Sequence, residues 1–372
     1  MKPTSVLSII FLFVVTSGFL CSKKDSSPNP NPPAGGNGVY AVYSTGGQWR
    51  DRKAFLWKDD VQTDLSNKDP FFRTTGTNLY TTAVAVSSTG DVYIAGGECL
   101  KLRQDLNYNQ EFIDSCYTVL WKNGVKQYLN KVAVERWFMK GQDVDLALNS
   151  ADDVFVLGRD GAANAGEYSV WKNGNKIIDI KDVNANVNKL FAKGSDVYIC
   201  GGTTINGQPK AAIWKNGTVQ VINSSREAYT VSVSENNDLY VGLTDGTILK
   251  NNVVQPTLRS AAGNTISFTG KIFCSGTDVF VLGYCISGNE TIVWKNGTQI
   301  FKITSPIAKY DLVQPQTLFV SGNDVYCSGI LESLNSSSGG TAAAVIFKNG
   351  SLYKTLYEGV GYLVDAPSIF VK

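Results

Sequence analysis

The chain of 372 residues contains no histidine. That absence excludes Ser-His-Asp and Cys-His catalysis in cis and removes the commonest general acid/base. It also excludes His-ligated zinc and iron sites. An excess of either charge is lacking too, since 34 Lys and Arg stand against 32 Asp and Glu. No dense basic cluster interrupts that balance, so no nucleic-acid partner is expected. CxxC, glycine-rich phosphate loops and sialidase-type Asp boxes are missing. Two stretches, Asp105–Glu111 and Asp182–Asn188, place oxygen-bearing side chains at alternate positions like the start of a calcium loop. Both lack the mid-loop glycine and the late bidentate Glu, so no metal and no cofactor is expected. Paired-carboxylate hydrolysis and a Tyr/Arg site stay open, but no pair stands out.

Long apolar runs are scarce as well. The one at the N-terminus, Val6–Val15, follows Lys2 and ends in "TSGFLC". A short positive start, a short apolar core and a break read as a secretory signal over residues 1–20; the run is too short to span a membrane stably. Residues 21–37 then supply Cys21 and a Pro/Asn/Ser-rich stretch that cannot bury a core and reads as a tether. Residues 38–372 are long for one ordinary core. A repeat architecture resolves this, because each unit needs only its neighbours.

The repeat is written openly. "WKNG" stands at Trp121, Trp171, Trp214 and Trp294, with degenerate copies "WKDD" at Trp57, "LKNN" at Leu249 and "FKNG" at Phe347. Before each lies a second phrase: "DVYIAGG" from Asp91, "DVFVLG" from Asp153, "DVYICGG" from Asp196, "DLYVGL" from Asp238, "DVFVLG" from Asp278 and "DVYCSG" from Asp324. The first copy is read as "AVYSTGG" from Ala41. These phrases are β-branched and aromatic, and apolar on both faces, as strands covered on both sides should be. Asn-Gly after "WK" predicts a type I′ hairpin between a third and a fourth strand. A tight turn and another strand precede each Asp. The expectation is an all-β, seven-bladed β-propeller of four-stranded antiparallel blades. The first unit lacks its first strand, and "PSIFVK" at Pro367–Lys372 supplies it, so the C-terminal strand should complete blade 1 and close the ring.

Two resemblances follow from these residues. "CSKKD" at Cys21 resembles the start of Bacteroidetes lipoproteins, which implies lipidation of Cys21, anchoring to the outer membrane and possible display at the cell surface. "VYIAGG" and "VYICGG" look like Kelch blades without the downstream Kelch residues. The whole of 38–372 is similar to WKNG-repeat propeller lipoproteins of Bacteroidetes, which implies the fold and no particular activity.

The repeated Trp recur once per blade where Leu249 and Phe347 also serve, so they read as packing positions between blades rather than a ligand cage. The repeated Asp follows a tight turn and reads as a cap on local backbone N–H groups. The tight turns share one end of the blades. The long connections share the other, where a binding surface is expected, with Phe72, Arg73, Tyr80, Arg136, Trp137, Arg226, Tyr229 and Tyr310 as candidates. The leading expectation is a non-enzymatic monomer binding a glycan or protein through that face. The alternatives are a His-independent carbohydrate-active hydrolase or lyase and a structural part of an envelope complex. An enzyme should converge ionisable residues on the central channel, whereas a binder should present exposed aromatics without such a cluster.

Register predicts one disulfide. In "DVYICGGTTINGQPKAAIWKNG" the Asn206-Gly207 turn sets the pairing of the second and third strands; carried to blade 2, it puts Cys99 opposite Cys116, within bridging reach. Cys200, Cys274 and Cys327 read as buried small residues, and Cys285 is unassigned.

Overall fold

The computed structural model describes residues 37–46, 53–66, 78–105, 110–130, 132–133, 144–160, 167–182, 184–305, 307, 310, 312–333, 341–360 and 363–372. They form seven antiparallel sheets arranged as the blades of a propeller. Blade 4 shows the pattern: Asn186–Lys193, Asp196–Ile205, Gln208–Lys215 and Thr218–Ile222 pair in sequence order from the inner to the outer strand. Blade 2 adds a fifth short strand, Val132–Ala133, beside Ser115 and Cys116. In blade 1 the inner strand is Leu363–Val371, paired with Val39–Gly46 from Val39↔Val371 to Val42↔Ser368. The C-terminal strand therefore closes the ring and leaves no inner edge unpaired.

The hairpin chemistry is as local rules require. Asn123, Asn173, Asn216, Asn296 and Asn349 have φ near 50°, each followed by a glycine at φ between 80° and 83°, the left-handed pair of a type I′ turn. Asp59-Asp60 and Asn251-Asn252 take the same conformation without glycine, as residues that tolerate the left-handed region can.

Seven buried apolar clusters hold successive blades together. Trp121 packs with Tyr40, Val42 and Leu56 between blades 1 and 2. Trp214 packs with Phe155, Leu157 and Tyr168 between blades 3 and 4. Trp57 joins blade 1 to Tyr326 and Ile346 of blade 7. Leu249 and Phe347 occupy the same role in their blades. The third-strand aromatic is thus turned toward the preceding blade, and the core is distributed around the ring.

Two readings of the repeat are corrected. The repeated Asp does not cap local backbone N–H groups. In blades 2 to 7 its carboxylate accepts from the Lys and Asn of that blade's own WKNG-type turn: in blade 4, Lys215 Nζ at 2.7 Å and Asn216 Nδ2 at 2.9 Å. The backbone is capped by the Asn, whose Oδ1 accepts from the N–H after the Asp, Val197 at 2.8 Å. The same three contacts recur from Asp91–Lys122–Asn123 to Asp324–Lys348–Asn349. The Lys also lies over the aromatic ring two residues past the Asp, at 5.2 Å over Tyr198. This clasp explains why the two phrases travel together. The second correction concerns the first copy, which begins at Gly38 rather than Ala41. Tyr40 pairs with Lys58 as Tyr93 pairs with Lys122. Here Asp59 Oδ1 takes the Asn role, accepting the Val39 N–H at 2.9 Å, and Gly38 stands where the Asp would be. A Cβ on Gly38 would lie 2.1 Å from Asp59 Oδ2, so the site admits only glycine without a shift.

Candidate functional site

The inner strands surround a central channel with a cavity of about 180 Å³, lined from all seven blades. Six of the seven blades carry a register shift involving the inner strand, such as Thr81/Ala83, Val187/Lys189 and Thr269/Lys271, a β-bulge that turns the following residue. The pairing with the second strand aligns that following position around the ring. It is Ser368, Ala83, Asp145, Lys189, Thr230, Lys271 and Thr317 in blades 1 to 7. The next residue in each blade, such as Leu190, Ile272 or Leu318, enters an inter-blade core. Two positions on, alternation returns the chain to the channel face. That layer contains Phe191, Phe273, Phe319 and Phe370 with Ala85, Ala147 and Ser232.

The channel therefore has two ends of different chemistry. Inner strands run from the long-connection face to the tight-turn face, so the charged layer lies toward the former and the aromatic layer toward the latter. The phenylalanines pack on one another, Phe273–Phe319 at 5.1 Å and Phe319–Phe370 at 4.7 Å between ring centroids. In the charged layer some side chains serve the scaffold. Ser368 Oγ accepts the Val84 N–H, Asp145 Oδ2 the Leu190 N–H at 2.8 Å, and Thr230 Oγ1 the Ile272 N–H. Each ties one inner strand to the next. Lys189 and Lys271 do no such work. Both are half-buried, and among the described residues neither ammonium has a hydrogen-bond or ion-pair partner. Burial opposes charge on Lys189, yet the Asp145 carboxylate holds it above the usual lysine range. At Lys271 burial prevails, with Asp145 restoring only part and Lys189 repelling, and its ammonium is pushed below that range. Beside them, burial pushes the Cys200 thiol up to about 12, which keeps it an inert packing group.

The candidate residues are dispersed. Tyr229 occupies the bulge of blade 5, stacks edge-on to Phe268 at 4.7 Å, and is near enough to Lys189 to bear on its charge. Arg226 is exposed on the connection ahead of it, its Nε 3.9 Å from Asp245. Tyr80 and Tyr310 are buried, not displayed on loops. Tyr80 lies over Gly97, where a Cβ would meet its ring at 2.2 Å; Tyr310 packs in the core between blades 6 and 7. Cys21, Phe72, Arg73, Arg136 and Trp137 fall outside the described residues. The second calcium-like stretch is spent on the protein itself: Asp182 accepts from Asn184 N–H and Thr203 Oγ1, and Asn188 Nδ2 donates to the Ala228 carbonyl. Cys99 faces Cys116 in register and the two are bonded; Cys200, Cys274, Cys285 and Cys327 are free.

Asp145, Lys189 and Lys271 were not among the candidates. A signal for them exists. Stacking the seven first-strand phrases, "AVAVS", "DLALN", "KLFAK", "TVSVS", "KIFCS", "TLFVS" and "SIFVK", puts their leading residues in one column. Two lysines and an aspartate stand out there against Ala, Ser and Thr.

No family model matches the chain, and no curated protein matches it. Among solved structures it is similar to the computationally designed Ika8 protein, at 17% identity and TM-score 0.45 over 92% of this chain and 93% of that one. It is similar to the WD40 beta propeller domain of Doa1 at 14% identity and TM-score 0.32, covering 67% and 86%. A third likeness is to a subtype N11 neuraminidase-like protein of A/flat-faced bat/Peru/033/2010 (H18N11), at 11% identity and TM-score 0.40, covering 74% and 89%. Likeness at this level carries no argument about function; the propeller rests on the strand pairing, and its chemistry on the channel.

Proposed function

We propose that this chain is an exported, non-enzymatic propeller of the WKNG-repeat lipoprotein type, held to the outer membrane through Cys21 and binding a glycan or protein partner with its long-connection face. One observation carries the choice of face: the channel is polar and cationic toward that side and rich in phenylalanine toward the other. A partner approaching there meets side chains with hydrogen-bonding capacity on a rigid ring. The tight-turn face offers the clasps, whose polar groups are already paired.

The hydrolase or lyase alternative draws on one observation, the convergence of Asp145, Lys189 and Lys271 on the channel. Paired-carboxylate hydrolysis needs two acidic side chains across the scissile bond. Among the described residues Asp145 is the one carboxylate of the lining, and it is committed to the Leu190 N–H. Binding is therefore the reading favoured. The test is a glycan array run beside a hydrolysis and elimination screen on the same glycans. Retention without turnover supports binding, and release of shortened or unsaturated sugars replaces it with catalysis. For location, Cys21→Ser should move the protein from the membrane fraction to the soluble fraction; unchanged fractionation refutes the lipid anchor.

A further inference from the structure

Lys189 and Lys271 come from blades 4 and 6, yet stand in one layer of one cavity with Asp145. The balance of that layer is two ammonium groups against one carboxylate. The remaining members of the layer are Ala, Ser and Thr, which bring no charge. Asp145 neutralises one cation at most, and it also serves the Leu190 N–H. The layer thus keeps an excess positive charge inside walls that elsewhere are uncharged and mostly apolar. A half-buried ammonium without a partner is costly in low-dielectric surroundings. Two facing one space repel each other as well, and Lys271 carries that penalty.

We propose that the mouth of the central channel is a binding site for a single oxyanion, a carboxylate or phosphate group, held between Lys189 and Lys271. The anion would balance the excess charge, take charge-assisted hydrogen bonds from both ammonium groups, and be fixed on the axis by ligands from two blades. The cavity of about 180 Å³ is below the range of drug-sized pockets, so it suits a small ion with water, or the acidic end of a larger molecule. The layer with four phenylalanines lies on the far side and offers no charged group, so the acid group of such a molecule would be held at the lysine layer. The site lies in the same channel opening that marks the long-connection face in the proposed function, but anion binding there is read by itself and does not require a glycan or protein partner on the long connections.

The test uses the full mature chain with acetate, phosphate and glucuronate as probes, each against chloride at matched ionic strength. At least one probe should raise the melting temperature saturably. Lys189→Gln and Lys271→Gln should each weaken that probe at least tenfold, while Lys181→Gln, at the exposed end of an outer strand, should not. Acetate and phosphate binding as well as glucuronate supports a site for free ions; glucuronate binding alone supports recognition of an acidic sugar. A second readout needs no variant: the bound anion should protect Lys189 and Lys271 from amine acetylation, mapped by peptide mass. The proposal is overturned if no probe acts beyond chloride, if the effect survives both substitutions, or if neither lysine is protected.

Discussion

Gly38 and Lys372 exchange backbone hydrogen bonds, the Gly38 N–H to the Lys372 carbonyl at 3.1 Å and the Lys372 N–H to the Gly38 carbonyl at 3.0 Å. This pair fastens the last strand to the first described one and completes blade 1. Deleting residues 367–372 would expose the inner edge of Val39–Gly46 and remove Ile369 from the core between blades 7 and 1. The truncated protein is expected to aggregate or melt far below the full chain. Light scattering and a thermal melt decide it; an unchanged melting temperature refutes closure by this strand.

The clasp predicts an order of effects. Asn216 sits at φ 51° and its Oδ1 caps the Val197 N–H. Asn216→Ala loses that bond and leaves in the left-handed region a residue without the short polar side chain that eases it, a cost of about 2 kcal/mol in all. Asn216→Gly removes the backbone strain and should cost less. Asp196 is at the surface, so Asp196→Ala should cost no more than about 1 kcal/mol. Denaturant melts of the three variants check the order. Asp196→Ala proving the most damaging would return the capping role to the aspartate.

Acid should unfasten all the clasps in one range. Hydrogen bonds from the clasp Lys and Asn hold Asp91, Asp196, Asp238, Asp278 and Asp324 below the ordinary 3.8. Asp153 is lowered to about 2 by Lys172, Asn149 and Asn173. Glu290 is likewise lowered to about 2, by bonds from Asn264 and Lys302. A carboxylate depressed in the folded state adds stability above its unfolded value and loses it as pH falls through the folded one. Stability should therefore hold down to about pH 4 and decline toward pH 2. The partners Lys122, Lys215, Lys250 and Lys348 are raised by the same bonds, so their contribution is full below the ordinary lysine value and is lost as pH rises from there through the raised one. Melting temperature against pH is the measurement, and a decline beginning near pH 6 would contradict this assignment.

The Cys99–Cys116 bridge closes a loop with a sequence separation of 17. Its removal should destabilise the chain by about 3 kcal/mol if loop entropy dominates. Cys99→Ala/Cys116→Ala should therefore melt lower than the oxidised parent, and reductant should shift the parent but not the variant. Unlinked, alkylated Cys99 and Cys116 peptides from the protein purified without reductant would show that the bridge does not form.

What the sequence determined by itself was everything set by neighbours within a strand or a turn. Asn-Gly pairs dictate left-handed turns because few residues tolerate positive φ. Apolar residues on both faces dictate covered strands. Repetition of the two phrases then sets seven blades, and the missing first strand, found at the other end, sets closure. The register from the Asn206-Gly207 hairpin carries across to Cys99 and Cys116 because both hairpins pair without a bulge up to those residues. Tertiary structure decided what required distant residues to meet. Asp196 and Asn216 are 20 residues apart, so local reasoning gave the aspartate the nearest backbone donors. The strand pairing brings it to the next turn instead. Tyr80 and Tyr310 read as loop residues because the boundaries of the inner strands and the blade cores are not written in any short phrase. Among the described residues, none of those singled out lines the channel; Tyr229 comes nearest, bearing on the charge of Lys189. Asp145, Lys189 and Lys271 lie in three blades, each in an ordinary-looking strand, and a polar residue there reads as solvated. They share one cavity only because the ring closes and the pairing of inner with second strand sets the same position of each blade at the axis, an arrangement created by packing between blades rather than by any contact along the chain.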